Sequence, residues 1–372
     1  MKILYVVPNI NNGDGISRVI AIKANYLIEY YSYEIAILTQ NKGNEGLFYD
    51  FNKSIAFYDM QLNGTIFQFF NSFRNQLKSA INEIKPDRII ICDNGLKAFL
   101  IPFIINPKIS LFLEIHSSLF IEESKRKNTF LPSLKSKLIC LYKQFGASQF
   151  NQVIVETQES IKEWKLKKGI VIPNPLWFST DIKSDLSQKN VIAVGRHVYE
   201  KGFDRLLEIW KKVIVKHPDW NLTIYGKSNP DFDLVALAKK LNIENNITFH
   251  EPEKNIEEKY LEASIYLMTS RFEGFGMVLI EAMASGLPCI AYDCPCGPRA
   301  IVENNNNGFL IEDGNEKQFI QTLENLIENE NLRIDMGNKA KISVNKYEIE
   351  AIMKQWNSVL KREIYFTQIR II

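Results

Sequence analysis

The sequence predicts an α/β protein of two successive Rossmann-like domains, and three observations carry that expectation. At 372 residues the chain exceeds what a single ordinary core takes. Short β-branched runs alternate with longer amphipathic ones through both halves, as parallel α/β sheets require. The alternation is interrupted once, after Ile172-Pro173-Asn174-Pro175, by the polar stretch Ser179 to Lys189, which reads as a linker.

In the first half the strand-like runs are Ile3 to Val7, Glu34 to Thr39, Asp87 to Cys92, Ile109 to Ile115 and Gln152 to Glu156, with a helical run from Ile16 to Tyr30. In the second they are Asn190 to Val194, Asn221 to Tyr225 and Ile247 to Phe249, with helices expected from Phe203 and from Asp231. Helical periodicity returns at Lys317 to Glu328 and from Tyr347 to about Leu360. The expected domains are 1–178 and 179–357, with a C-terminal helix, about 358–372, crossing back to the first. Sheets of this kind bind ligands beyond the carboxyl ends of their strands, so the site is expected in a cleft where the two domains face each other.

Composition narrows the class. The five cysteines (Cys92, Cys140, Cys289, Cys294, Cys296) are odd in number and lack the spacing of a disulfide framework, which fits a reducing cytoplasm. Cys294-Pro-Cys296 has no second Cys or His pair to complete a metal site and reads as a loop. Neither the N-terminal run, cut by Pro8 and Asn9, nor Ala98 to Ile105, cut by Pro102, has the length of a membrane span, so a soluble protein is expected. Residues 1–178 carry 21 Lys and Arg against 15 Asp and Glu, a net +6; the remainder carries 24 against 28, a net −4. Without a stacking motif, that modest basic excess gives no reason to expect nucleic acid.

The most informative segment is RFEGFGMVLIEAMASGLPCIAYDCPCGPRAIVENNNNGFL, from Arg271 to Leu310. Gly274 and Gly276 let the backbone approach a ligand, and the apolar and small residues from Met277 to Ala284 begin a helix whose first amides suit a diphosphate. Glu273 precedes that helix and Glu281 follows eight positions later, so one carboxylate can meet a sugar hydroxyl and the other a ribose; the plainer alternative is two solvated surface acids.

This segment resembles the Glu-x7-Glu signature of family 4 glycosyltransferases, retaining enzymes of the two-domain GT-B fold. The resemblance implies that Glu273 contacts the donor sugar and Glu281 the nucleotide ribose, with Gly274, Phe275, Gly276 and Met277 around the donor. VGRHVYEKGFDRLL is similar to the Gly-Arg…Lys-Gly element of the same family, which makes Arg196 and Lys201 ligands of the donor diphosphate; exposed surface cations are the alternative. Two cations fixed in a partly dry site would stabilise the charge that builds on the leaving phosphate. They would do so without a metal or other cofactor.

The loop NINNGDG, Asn9 to Gly15, joins the first strand to a helix. Arg18 stands where a dinucleotide fingerprint needs its third glycine, and no acid ends the next strand, so NAD is not expected. By the resemblance Gly13 and Gly15 approach the donor phosphates and shape the acceptor pocket. His116, after the strand ending at Ile115, resembles the strand-end His that contacts the donor sugar in the family; a lone His there also reads as a hydrogen-bonded structural residue.

Departures from the family pattern bear on base and sugar selection: Gly297-Pro298-Arg299-Ala300 lacks the carboxylate of Gly-Pro-x-Glu, and Phe249-His250-Glu251 lacks a glycine. The resemblance covers the second half closely and the first in outline. It points to transfer of a hexose or N-acetylhexosamine from a UDP-sugar to a lipid-linked or polysaccharide acceptor of bacterial surface glycan, whether capsule, O-antigen or lipopolysaccharide. A UDP-sugar epimerase on the same architecture needs several acid/base groups around the sugar, whereas only His116 and His197 among four His fall near the expected cleft. A non-catalytic glycan-binding subunit would not need the intact Arg196, Lys201, Glu273 and Glu281. Between Lys125 and Lys143 six cations (Lys125, Arg126, Lys127, Lys135, Lys137, Lys143) and no acids interleave with apolar residues. That fits an anionic membrane surface, making the protein peripheral on the inner face of the cell membrane, a segment embracing a lipid diphosphate, or a solvated helix packed on the core.

Overall fold

The computed structural model describes residues 1–105, 108–120, 134–178 and 182–362. The chain divides into two compact units: one takes Met1–Leu119, the segment ending at Pro175 and the chain from Glu350 on, and the other is built on Leu176–Ile349.

The first unit has seven strands: β1 (Lys2–Val6), β2 (Glu34–Gln40), β3 (Ala56–Met60), β4 (Arg88–Ile91), β5 (Ser110–Ile115), β6 (Gln152–Val155) and β7 (Gly169–Val171). All pair in parallel, in the order β3-β2-β1-β4-β5-β6-β7. Central strands such as β4 and β5 are buried on both faces, which is why Ile89–Ile91 and Leu111–Leu113 read as unbroken apolar runs. Helix Ile66–Ile84 covers one face with Phe73, Leu77, Ile81 and Ile84, one residue per turn, and starts in a capping box between Thr65 and Gln68. The direction of crossover reverses at β1 and β4, and the loops leaving their carboxyl ends include Asn9–Asp14 and the turn after Asp93.

The second unit repeats the logic with β8 (Asn190–Val194), β9 (Asn221–Tyr225), β10 (Ile247–His250), β11 (Ile265–Met268), β12 (Cys289–Tyr292) and β13 (Gly308–Ile311), all parallel, in the order β10-β9-β8-β11-β12-β13. Alternate residues go to opposite faces: Val191 and Ala193 join Leu206, Leu207 and Trp210 of helix Phe203–Val213, while Ile192 joins Leu279, Ile280 and Met283 of helix Met277–Ala284. Each such aliphatic side chain, fully buried, contributes about 1.5–3 kcal/mol. The reversal here lies between β8 and β11, which are hydrogen-bonded neighbours.

Five of these thirteen strands, β3, β7, β11, β12 and β13, have three to five residues and fall between the runs that the sequence singles out. The helix expected from Asp231 is a single 3-10 turn, Pro230–Phe232, followed by helix Leu234–Leu241; Asp233 breaks the run by accepting from the amide of Ala236 at 2.9 Å. The last described helix, Ile349–Lys361, packs on the first unit: the Lys23 ammonium lies 4.3 Å from the Trp356 ring centroid and the Arg88 guanidinium donates to the Leu360 carbonyl at 3.2 Å. Most of the expected crossing segment 358–372 lies outside the described residues, as do Ser179 to Asp181 and the basic residues Lys125, Arg126 and Lys127. All five cysteines are free, and among the described residues no helix is long and apolar enough to cross a membrane.

Candidate functional site

Because β8 and β11 are neighbours at the reversal point, the loops leaving their carboxyl ends meet. These are the two segments the sequence marks, 195–202 and 269–276. Gly202 has a φ of 66° and a Cβ there would stand 2.0 Å from the Thr269 carbonyl oxygen, so only glycine lets the loops close on each other. Thr269 Oγ1 donates to the Gly202 carbonyl at 2.9 Å, and the Arg271 amide donates to the Glu200 carbonyl at 2.7 Å. Arg271 adds a two-pronged pair to Asp204, both contacts 2.7 Å, with its guanidinium stacked 4.0 Å above the Tyr199 ring.

On this frame Lys201 donates to Glu273 Oε1 at 2.7 Å, and the Ser270 hydroxyl donates to the same oxygen at 2.6 Å. Glu273 is buried and Lys201 about a fifth exposed, so the ammonium spends one of its three donors on Glu273 and presents the others outward. Gly276, φ 97°, then turns the chain into helix Met277–Ala284, whose first amides have no side-chain cap. Arg196 is exposed and, among the described residues, its side chain has no ion-pair or hydrogen-bond partner. The second unit thus offers two cations, one fixed and one free, together with an uncapped helix start, which suits an anion.

Glu281 is buried inside that helix and both of its oxygens are held: Trp177 Nε1 donates to one and the Tyr260 hydroxyl to the other, each at 3.0 Å. Gly274 and Met277 are partly exposed, but Phe275 turns its ring into the core against Tyr347, so it offers a ligand its backbone. Burial, reinforced by Glu273, pushes the Cys294 thiol well above the ordinary value and withholds a thiolate from the site. His197 packs edge-on to Phe203 and Phe249, and burial pulls it below its usual value, which keeps it neutral.

In the first unit Gly13 and Gly15 are exposed at the start of helix Gly15–Tyr31, which Asp14 caps by accepting from the Ser17 amide at 2.9 Å. Among the described residues, and apart from its chain neighbours and its own helix backbone, no atom lies within 4 Å of where a Cβ on Gly15 would stand. His116 stands just past β5 as the sequence leads one to expect, but its ring is turned inward, with Nδ1 2.9 Å from Glu156 Oε1 and Nε2 3.4 Å from Glu114 Oε1. Glu114 pairs with the fully buried Lys23 and accepts from the Cys92 thiol, while Asn174 donates to Glu156. Burial alone would depress His116, but Glu114 and the surrounding hydrogen bonds raise it well above its ordinary value. Burial likewise opposes ionisation of Glu114, yet Lys23 and His116 hold it well below the carboxylate range. Cys92, Glu114 and His116 bring three possible metal-donor atoms within 4.8 Å of one another. Burial pushes the Cys92 thiol up to about 11, the imidazole is held protonated and Lys23 occupies the carboxylate, so the trio is poorly prepared for a cation.

Sequence reasoning missed Ser270, the Arg271–Asp204 clamp, and Trp177 and Tyr260 on Glu281. Only Ser270, three residues before Glu273, left a local signal; Trp177 meets Glu281 across 104 positions.

Two parallel α/β units with these topologies define the GT-B fold, and solved structures of that class agree: HepE of Anabaena, solved with UDP and glucose, superposes with a TM-score of 0.76 over 97% of this chain and 99% of its own, at 19% identity. Residues 179–343 match the family described as glycosyl transferases group 1, so the second unit carries a domain of that family. Over nearly the whole chain the protein is homologous to bacterial glycosyltransferases. It is 29% identical over 366 residues to an uncharacterized glycosyltransferase of Haemophilus influenzae, and 29% over 374 residues to the amylovoran biosynthesis glycosyltransferase AmsD of Erwinia amylovora; each match covers 96% of this chain and 99% of the relative.

Proposed function

We propose that the protein is a retaining, metal-independent hexosyltransferase of the family 4 type. It moves a hexose or N-acetylhexosamine from a nucleotide sugar, a UDP-sugar, to a lipid-linked or polysaccharide acceptor in bacterial surface glycan synthesis such as that of capsule, O-antigen or lipopolysaccharide. The observation that carries this reading is the Lys201–Glu273 pair beside the uncapped start of helix Met277–Ala284, with Glu281 eight residues further on. Lys201 and Arg196 would hold the diphosphate, Glu273 the sugar hydroxyls, and Glu281 the ribose. The UDP bound to HepE supports the donor, and the amylovoran relative supports a polysaccharide product. The free, mostly buried cysteines fit action in the cytoplasm.

In the step proposed, the bond from the anomeric carbon to the β-phosphate oxygen breaks as the acceptor oxygen bonds to that carbon from the same face. The departing phosphate takes the acceptor proton, and Lys201 and Arg196 stabilise the charge that develops on it. The test is product analysis by NMR after incubation with UDP-hexoses, UDP-N-acetylhexosamines and a polyprenyl-diphosphate-linked sugar, with and without a chelator. Transfer with the donor's own anomeric configuration, at a rate the chelator leaves unchanged, is expected. An inverted product or loss of activity on chelation would overturn the mechanism, and an epimerised nucleotide sugar formed without acceptor would overturn the reaction class.

A further inference from the structure

We propose that the outer face of helix Leu134–Ser148 and the neighbouring Phe103 form a docking surface for an anionic lipid bilayer. Leu134, Leu138, Leu141 and Phe145 are each more than half exposed. Their spacings of four, three and four residues put them within about 60° of one helical face. The opposite face is the one that packs: Lys143, Gly146 and Ala147 are buried, and a Cβ on Gly146 would stand 2.4 Å from the Phe99 Cβ. The core therefore takes one side of the helix and leaves the leucine stripe outside it. Phe103 extends the outer stripe, its half-exposed ring lying nearly parallel to that of Phe145 with centroids 6.3 Å apart.

Charge identifies the occupant. Lys135 and Lys137, both exposed, flank the stripe on either side, and the sequence has no Asp or Glu from Lys125 to Val155. Lysines in these places can lay their stems along the apolar stripe and set their ammonium groups at the level of lipid phosphates. A two-fold contact with a second copy would instead bring like-charged lysine borders together. An apolar stripe bordered by cations and clear of acids is what an anionic interface binds, and the attraction falls as salt rises. This surface is independent of the glycosyl-transfer reading.

The test is co-sedimentation of the full chain with phosphatidylglycerol–phosphatidylcholine vesicles and with phosphatidylcholine alone. The chain should pellet with the first and little with the second. Leu138→Glu combined with Leu141→Glu should weaken binding by about tenfold or more. Lys135→Glu with Lys137→Glu should also weaken it and flatten its salt dependence. Because the substituted side chains are exposed, the thermal midpoint should stay in place. A leucine variant that keeps its midpoint and pellets like the wild type overturns the proposal. Equal binding to both vesicles overturns the anionic preference. A wild-type dimer that the leucine variant dissociates, with neither protein taken up by vesicles, assigns the face to self-association instead.

Discussion

The carboxyl edges of the two sheets carry ionic clusters of similar parts and opposite character. In the second unit Lys201 meets Glu273 at the rim, with donors left over, an unpaired Arg196 nearby and a helix start without a cap. In the first, Lys23, Glu114, His116 and Glu156 alternate in sign and are almost completely buried, so the cluster neutralises itself. A cluster that satisfies itself supports the fold, whereas one that leaves cations facing outward can take an anion.

The sharpest way to break this contrast is to disable each cluster and ask what is lost. Lys201→Ala should lower the transfer rate by about 10²–10³-fold, or about 3–4 kcal/mol, and cost less stability than the next variant because the Ser270 hydroxyl still donates to Glu273; steady-state kinetics and a denaturant curve check both. Glu114→Gln should do the reverse, costing about 3 kcal/mol of stability because it leaves the Lys23 and His116 charges buried without their shared partner.

The pH dependence follows from the same cluster. His116 is raised in the folded state above its ordinary 6.5, so its contribution is fully present below that value and is lost as pH rises through the folded value. Glu114 is lowered below its ordinary 4.5, so its contribution is present above that value and is lost as acid brings it toward the folded value. Denaturant midpoints measured across pH should fall at both ends, and His116→Gln should flatten the alkaline side.

A smaller effect sharpens the picture of the second unit's frame: Arg271→Lys loses the two-pronged contact to Asp204 and should cost about 1–2 kcal/mol in unfolding free energy. Smallest of all, Gly15→Ala should change stability by about 0.5 kcal/mol or less, since the added methyl has open space among the described residues. Any loss of activity in that variant would then report a ligand at the first unit's loop.

Sequence legibility followed the same division. Runs such as Asn190–Val194 and Asn221–Tyr225 were readable to their end residues because every position is β-branched, apolar or a strand-edge Asn or Thr. The four-residue strands Ile265–Met268 and Cys289–Tyr292 were not, because they are too short for periodicity and take their conformation from their neighbours in the sheet. Glu273 and Glu281 stood out because helix start, glycines and spacing are local. The partners of Glu281 were hidden because Trp177 and Tyr260 reach it through tertiary packing, and the inward turn of His116 was hidden because Lys23 meets Glu114 across 91 positions.

The most direct test of the central claim, that the second unit holds the nucleotide of the donor, is calorimetric titration of UDP into the wild type, Glu281→Ala and His116→Gln, each first shown to be folded. The account predicts that UDP binds the wild type, that Glu281→Ala weakens it by about tenfold or more through loss of a charged acceptor, and that His116→Gln leaves it nearly unchanged. UDP binding that survives Glu281→Ala and disappears in His116→Gln would contradict it.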